Sequence, residues 1–247
     1  IIHGAGDELY NNASEFYRAE NGQPIGYFWG YKTAGIFQNT QEIDEWRAAG
    51  NGILQSNVQP GDVRFVDRNH DGQINDKDKV NLGNGTPDFT LGLNLGFVYK
   101  GFDFSIVANG AFGQQIVQSY RNHTRPTPNY TTAILDRWHG EGTSNRIPRV
   151  TDSNINYQFS DLFIQNGDYL RLSTLTLGYD FAKLFKGKAV SQARLYFQVQ
   201  NLFTITGYDG MDPEIGFGSS NNSWVSGLDY GYYPRPRTVL VGVNLKF

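Results

Sequence analysis

An all-β fold, a segment of an antiparallel transmembrane β-barrel with long extracellular loops, is what this 247-residue sequence predicts. Three observations carry the expectation. Several stretches alternate apolar and polar residues with period two, the connections between them are either very short or very long, and aromatic residues gather beside the short ones. Composition agrees with them. Aromatics make up 15% of the chain and 29 glycines stand against one methionine, a usage that suits strands better than helices.

The elements follow in chain order. A weaker strand is expected from Gly26 to Phe37. NTQEIDEWRAAG then reads as a helix inside a long connection: Asn39 with Glu42 makes a capping-box signature, and Gly50 sits where a C′ glycine belongs. The clearest segment is PDFTLGLNLGFVYKGFDFSIVANGAF. Phe89, Leu91, Leu93, Leu95, Phe97 and Tyr99 share one face, while Thr90, Gly92, Asn94 and Gly96 share the other. After a tight Lys100-Gly101 turn, Phe102, Phe104, Ile106 and Ala108 alternate with Asp103, Ser105, Val107 and Asn109. This is a β-hairpin, and its apolar residues are expected to face lipid. YLRLSTLTLGYDF changes phase, with Leu170 and Leu172 even but Leu175, Leu177, Tyr179 and Phe181 odd, as a β-bulge near Ser173-Thr174 would produce. ARLYFQVQNLF sets Leu195, Phe197 and Val199 against Tyr196, Gln198 and Gln200. The final TVLVGVNLKF alternates from Val239 to Leu245 and ends on Phe247; it is expected to pair with the strand from Ala193 to Phe203, close a barrel and exit on the periplasmic side.

The connections Gln38 to Pro87, Gly113 to Asp168 and Gly207 to Arg237 are each roughly 30 to 55 residues, against a usual ~4–6. They share one end of the sheet, the pattern of outer-membrane barrels. Strand length fits too. Phe89 to Tyr99 spans about 33 Å extended, or about 25 Å once tilted by ~40°, the height of a barrel's apolar band. Alternation alone does not separate a lipid-facing surface from a protein core, so a soluble β-sandwich is the other reading.

Several function classes drop out. A formal net charge of -3 gives no basis for a nucleic-acid partner. Without cysteine there is no disulfide, thiolate metal site or cysteine nucleophile. No run approaches the ~18 apolar residues of a spanning helix, and IIHGAGDELY shows no signal-peptide pattern. His3, His70, His123 and His139 are scattered, and no nucleophile elbow or phosphate-binding glycine loop is present. Asp212 and Glu214, in D-P-E, read as turn chemistry rather than as a catalytic pair. No enzymatic activity is expected. The N-x-S/T matches at Asn12, Asn122, Asn129 and Asn221 carry little weight in an Asn-rich chain.

DRNHDGQINDKD is more informative. EF-hand loops place ligands at positions 1, 3, 5, 7, 9 and 12, with glycine at 6 for the sharp turn. Counting from Asp67, those positions hold Asp67, Asn69, Asp71, Gln73 (through its carbonyl), Asn75 and Asp78, with Gly72 sixth and an anchoring Ile74 eighth. Oxygen-only ligands point to Ca²⁺, in a structural role. Position 12 is Asp instead of the bidentate Glu, as in dockerin-type loops, and its shorter arm should weaken binding or change its denticity. The plainer reading is a polar surface turn.

Six stretches in order, GQPIGYFWGYKTAGIFQ, PGDVRFVDRNHDGQINDKDKV, LGNGTPDFTLGLNLGFVYKGFDFS, DYLRLSTLTLGYDF, VQNLFTITGYDGMDPEIG and YYPRPRTVLVGVNLKF, carry a resemblance along nearly the whole chain. It resembles the C-terminal part of the SusC/RagA family of TonB-dependent outer-membrane transporters of Bacteroidetes. That resemblance implies a plugged barrel of about 22 strands that imports glycan oligosaccharides or peptides. It also implies a SusD-like surface lipoprotein as lid and energy from the TonB complex. These residues include no plug and no TonB box, and too few strands to close such a barrel. The rest of the barrel, the plug and the lipid membrane are therefore expected partners. Tyr120, Arg121, Trp138, Trp224 and Tyr230 are candidates for stacking on sugars or gripping peptides. The alternative function is a calcium-dependent surface-binding or adhesion module built on a β-sandwich, with the Asp67 loop as its recognition site.

Overall fold

A computed structural model describes residues 2–4, 17–118, 131–151, 155–185, 190–215 and 226–247. The chain divides into two compact units. One comprises Thr86–Gln114, Asn166–Ile215 and Tyr232–Phe247; the other comprises Ile1–Gly85, Gln115–Gln165 and Gly216–Gly231. The first, among the described residues, is a sheet of long strands, while the other carries short strands with one short α-helix and 3₁₀ turns between long connections. Among the described residues no helix is long and apolar enough to cross a membrane, which has no bearing on crossing by strands.

The first unit is one antiparallel sheet of five strands: β1 (Phe89–Tyr99), β2 (Phe102–Phe112), β3 (Tyr169–Asp180), β4 (Gln192–Thr206) and β5 (Thr238–Lys246). Their order is β5-β4-β3-β2-β1, so strands that follow one another in sequence are neighbours in space. β2 and β4 run past the expected Ala108 and Phe203. The β1–β2 connection is as tight as its sequence suggests. Lys100 (φ 47) and Gly101 (φ 93) both take left-handed backbone, which the type I′ hairpin turn demands. β5 pairs with β4, as expected for the chain's last strand.

Register carries the apolar alternation across the whole sheet. Three rows run unbroken over five strands: Leu95, Ile106, Leu175, Val199, Val239; Phe97, Phe104, Leu177, Phe197, Val241; and Tyr99, Phe102, Tyr179, Leu195, Val243. On the opposite face the corresponding rows include Asn94, Thr174, Gln200 and Thr238, then Ser105, Thr176 and Gln198. The apolar face is open: Phe97 is 62% exposed, Leu177 50% and Val241 70%. Toward the Lys100-Gly101 turn the aromatics meet, with Phe102 and Tyr179 ring centroids 4.4 Å apart and Tyr179 edge-on to Phe181 at 4.6 Å.

The phase change in β3 is a bulge. Leu172 pairs with Ala108 and Thr174 with Val107, which leaves Ser173 unpaired, its hydroxyl bonded to the Asn109 side chain. The extra residue returns Leu172 to the face that carries Leu175. On the polar face Gly178 makes room for an ion pair. A Cβ there would lie 2.3 Å from Asp103 Oδ1, and across this gap Arg194 Nη2 meets Asp103 Oδ2 at 2.5 Å.

In the second unit the long connections fold on each other rather than hang open. Tyr17, Phe28, Leu82, Val117, Phe159 and Leu228 bury one core, and Tyr31, Val63, Phe65 and Ile74 another. The stretch 26–37, expected as one strand, is two: Tyr27–Gly30 joins a four-stranded sheet, and Thr33–Ile36 pairs with Val63–Phe65. The break falls at Tyr31, whose N–H turns to the Phe159 carbonyl at 3.0 Å. Gly30 permits it, since a Cβ there would stand 2.6 Å from that same carbonyl oxygen. The expected helix, α1 (Thr40–Ala48), forms with Asn39 Oδ1 accepting from Glu42 N at 2.9 Å. The Glu42 carboxylate departs from the capping box, reaching past the cap to Gln38 N at 3.0 Å. Gly50 (φ 81) ends the helix in a Schellman motif, with Gly50 N to Arg47 O at 2.9 Å and Asn51 N to Trp46 O at 3.3 Å.

Candidate functional site

The Asp67–Asp78 loop leaves the Val63–Phe65 strand and returns through a short 3₁₀ turn, Asp76–Asp78. Its first and last carboxylates, Asp67 and Asp78, are each 1% exposed. Asp67 Oδ2 accepts from Gly72 N at 2.9 Å and from Gly52 N at 2.8 Å. Gly72 (φ 77) supplies the sharp turn, and Gly52 must be glycine because a Cβ would meet the Gln73 backbone at 2.6 Å. Asp78 closes the loop from the other end, taking Arg68 N at 2.9 Å on one oxygen and Asn75 N at 2.8 Å on the other. Ile74 packs in the core with Tyr31, Val63 and Phe65, the anchoring role its position suggests.

The middle of the loop is a run of side-chain-to-backbone turns. Asn69 Oδ1 accepts from Asp71 N at 3.1 Å, Asp71 Oδ1 from Gln73 N at 3.0 Å, and Asn75 Oδ1 from Lys77 N at 3.0 Å. Asp71 Oδ2 faces the Asn69 amide nitrogen at 2.9 Å. All six expected ligand residues thus share one loop. Among the described residues, however, no three His, Cys, Asp or Glu side chains form a ready metal-binding group. The loop's negative charge reaches its neighbours. The Tyr31 phenol is pushed up to about 12, first by burial and then by the charges of Asp76 and Asp78.

Of the residues considered for ligand contact, Trp138 and Tyr230 are described. The Trp138 indole lies over Gly61, where a Cβ would meet the ring at 2.4 Å, and its N–H donates to Gln38 Oε1 at 3.1 Å. Tyr230 is half-buried against the core of Tyr17 and Phe28. Each side chain packs within its own surroundings. Tyr120, Arg121 and Trp224 lie outside the described residues, as do the four N-x-S/T asparagines.

A second constellation was not anticipated from the sequence. Arg171 in β3 is 3% exposed and sits on the polar face beside the bulge. Its Nη2 meets Asp212 Oδ1 at 2.5 Å, its Nη1 meets Glu214 Oε2 at 2.9 Å, and its Nε donates to Thr204 Oγ1 at 3.0 Å. Arg235 completes the group, with Nη2 2.9 Å from Glu214 Oε1. The turn reading of D-P-E holds, because Glu214 N donates to Asp212 Oδ1 at 2.9 Å. The same carboxylates also clamp the connection after β4 onto the sheet. An arginine inside an alternating strand, in YLRLS, was the available signal.

The class these features describe is one of strand-built proteins with a one-sided apolar sheet and large folded connections. The particular family follows from known proteins. TonB-dependent receptor P3 of Formosa agariphila is 34% identical over 237 residues, covering 92% of this chain and 22% of that protein. TonB-dependent receptor SusC of Bacteroides thetaiotaomicron is 31% identical over 197 residues, covering 79% of this chain and 18% of that protein. No family model matches. The structure of the RagAB peptide transporter superposes with a TM-score of 0.65 over 95% of this chain and 25% of the matched chain; at 20% identity, that likeness concerns the fold. The SusC/RagA resemblance read from the motifs is therefore shown: along its matched length the chain is similar to TonB-dependent receptors, SusC among them. The chain spans about a quarter or less of the relatives it matches.

Proposed function

We propose that the chain is part of the wall and outer loops of an outer-membrane active transporter that imports glycan oligosaccharides or peptides. The observation that carries this reading is the five-stranded sheet whose apolar rows stay open, on a sequence similar to TonB-dependent receptors. Exposed apolar surface of this extent is covered by lipid or protein in a functioning molecule. A β-sandwich would have buried it, which argues against the adhesion module. Among the described residues β5 and β1 end the sheet with long unpaired edges, and such edges call for neighbouring strands. A barrel of about 22 strands supplies them. In this reading the folded connections face outward beneath a SusD-like lipoprotein, TonB acts through a plug outside these residues, and Phe247 lies on the periplasmic side. The chain itself performs no covalent chemistry.

The test uses the full-length protein, tagged in its own outer membrane. Expected results are extraction by detergent only, co-isolation of a surface lipoprotein, and oligosaccharide or peptide uptake that is lost when TonB is removed. Recovery of the protein in the soluble fraction, or uptake that persists without TonB, would overturn the reading.

A further inference from the structure

We propose that the Asp67–Asp78 loop is a divalent-cation site that takes Ca²⁺, anchored on a carboxylate oxygen of Asp67 that no described protein group satisfies. Asp67 Oδ1 is buried and has no hydrogen-bond partner, while Oδ2 of the same carboxylate holds the loop's turn through Gly72 N. Buried carboxylates are normally paired with a cation, because the low-dielectric interior penalises an uncompensated charge. Among the described residues Asp67 and Asp78 have no such partner. The nearby Lys79 ammonium binds Asp76 at 2.8 Å, and among the described residues the ion pairs run to other carboxylates. Two buried charges on one loop, one with an open oxygen, need a positive charge that the described residues do not provide.

The surrounding donors say which ion fits. Asn69, Asp71, Gln73, Asn75 and Asp78 offer oxygens and neither imidazole nor sulfur, which favours a hard cation over zinc or iron. A loop offering many oxygens suits six to eight ligands at ~2.3–2.6 Å, the Ca²⁺ preference, better than the rigid octahedron of Mg²⁺. Loading requires the middle of the loop to rearrange. Asn69 and Asp71 are exposed, so the contact between the Asn69 amide and Asp71 Oδ2 can open and turn the carboxylate onto the ion. The consequence extends beyond the loop. Gly52 N–H is held by Asp67, and Gly52 O accepts from the Trp46 indole at 3.1 Å, which links the ion to the exit of α1.

Terbium is the probe, since Trp46 is placed to sensitise a lanthanide in the loop. Full-length protein in detergent, stripped with EGTA, is titrated with Tb³⁺ under tryptophan excitation and then with Ca²⁺ or Mg²⁺. The expected result is a luminescent site that Ca²⁺ empties at far lower concentration than Mg²⁺. Asp71→Ala should weaken it by about tenfold or more through loss of a charged ligand, and the stripped variant should unfold as the stripped wild type does. The difference between wild type and variant isolates this loop from ions bound elsewhere. A Tb³⁺ signal that Asp71→Ala leaves unchanged, or that Ca²⁺ does not displace, overturns the proposal, whatever the protein transports.

Discussion

Arg171→Ala should destabilise the protein by about 3–5 kcal/mol, the cost of breaking a buried ion pair from one side. The Arg171 side chain is 4% exposed and Asp212 7%, so neither charge is screened by water once its partner is gone. Asp212 would keep backbone N–H groups of Glu214 and Arg235 but, among the described residues, no side-chain cation. Glu214 would keep Arg235, which limits the damage on that side. Arg235→Ala is the internal control: with its side chain 56% exposed, it should cost no more than about 1 kcal/mol. Denaturant unfolding of the full-length protein in detergent compares the two. Equal stabilities for both variants would show that the buried cluster does not hold the connection after β4 to the sheet.

The second large effect belongs to the apolar rows. Arginine at Leu93, which pairs with Ala108 in the middle of β1, should cost about 2–4 kcal/mol if that side chain faces the hydrocarbon. Arginine at the adjacent Asn94 turns to the polar side and should cost much less. Folding into lipid vesicles at graded urea measures both. Equal tolerance at the two positions would remove the sidedness on which the barrel reading rests.

How much of this was legible in the sequence depends on the range of the physics involved. Alternation in β1, β2, β4 and β5 is a local signal with period two, and pairing neighbouring strands was enough to align it into rows. The bulge was legible for the same reason, because Ser173 disturbs a phase that the strand itself defines. α1 announced both its ends through Asn39 and Gly50. The rest is long-range. Tyr17, Val117 and Leu228 share a core with no periodicity linking them, so connections read as loops fold into a unit of their own. Gly30 splits a strand only because Phe159 approaches it from far along the chain. Arg171 finds Asp212 41 positions away, so D-P-E looked like a turn and nothing more. In the Asp67 loop the spacing was visible, but burial of Asp67 and the open oxygen needed coordinates.

The central claim is that one face of the five-stranded sheet meets lipid, and spin-label accessibility tests it most directly. Single cysteines at Leu95, Phe197 and Val241, and at Asn94, Gln198 and Leu240, would be labelled in full-length protein free of other cysteines and reconstituted into bilayers. The account predicts that labels at the first three are relaxed by oxygen dissolved in the hydrocarbon and shielded from a water-soluble nickel chelate, with the opposite balance at the second three. Labels at Leu95, Phe197 and Val241 that neither reagent reaches would mean a face buried in protein, and would contradict the account.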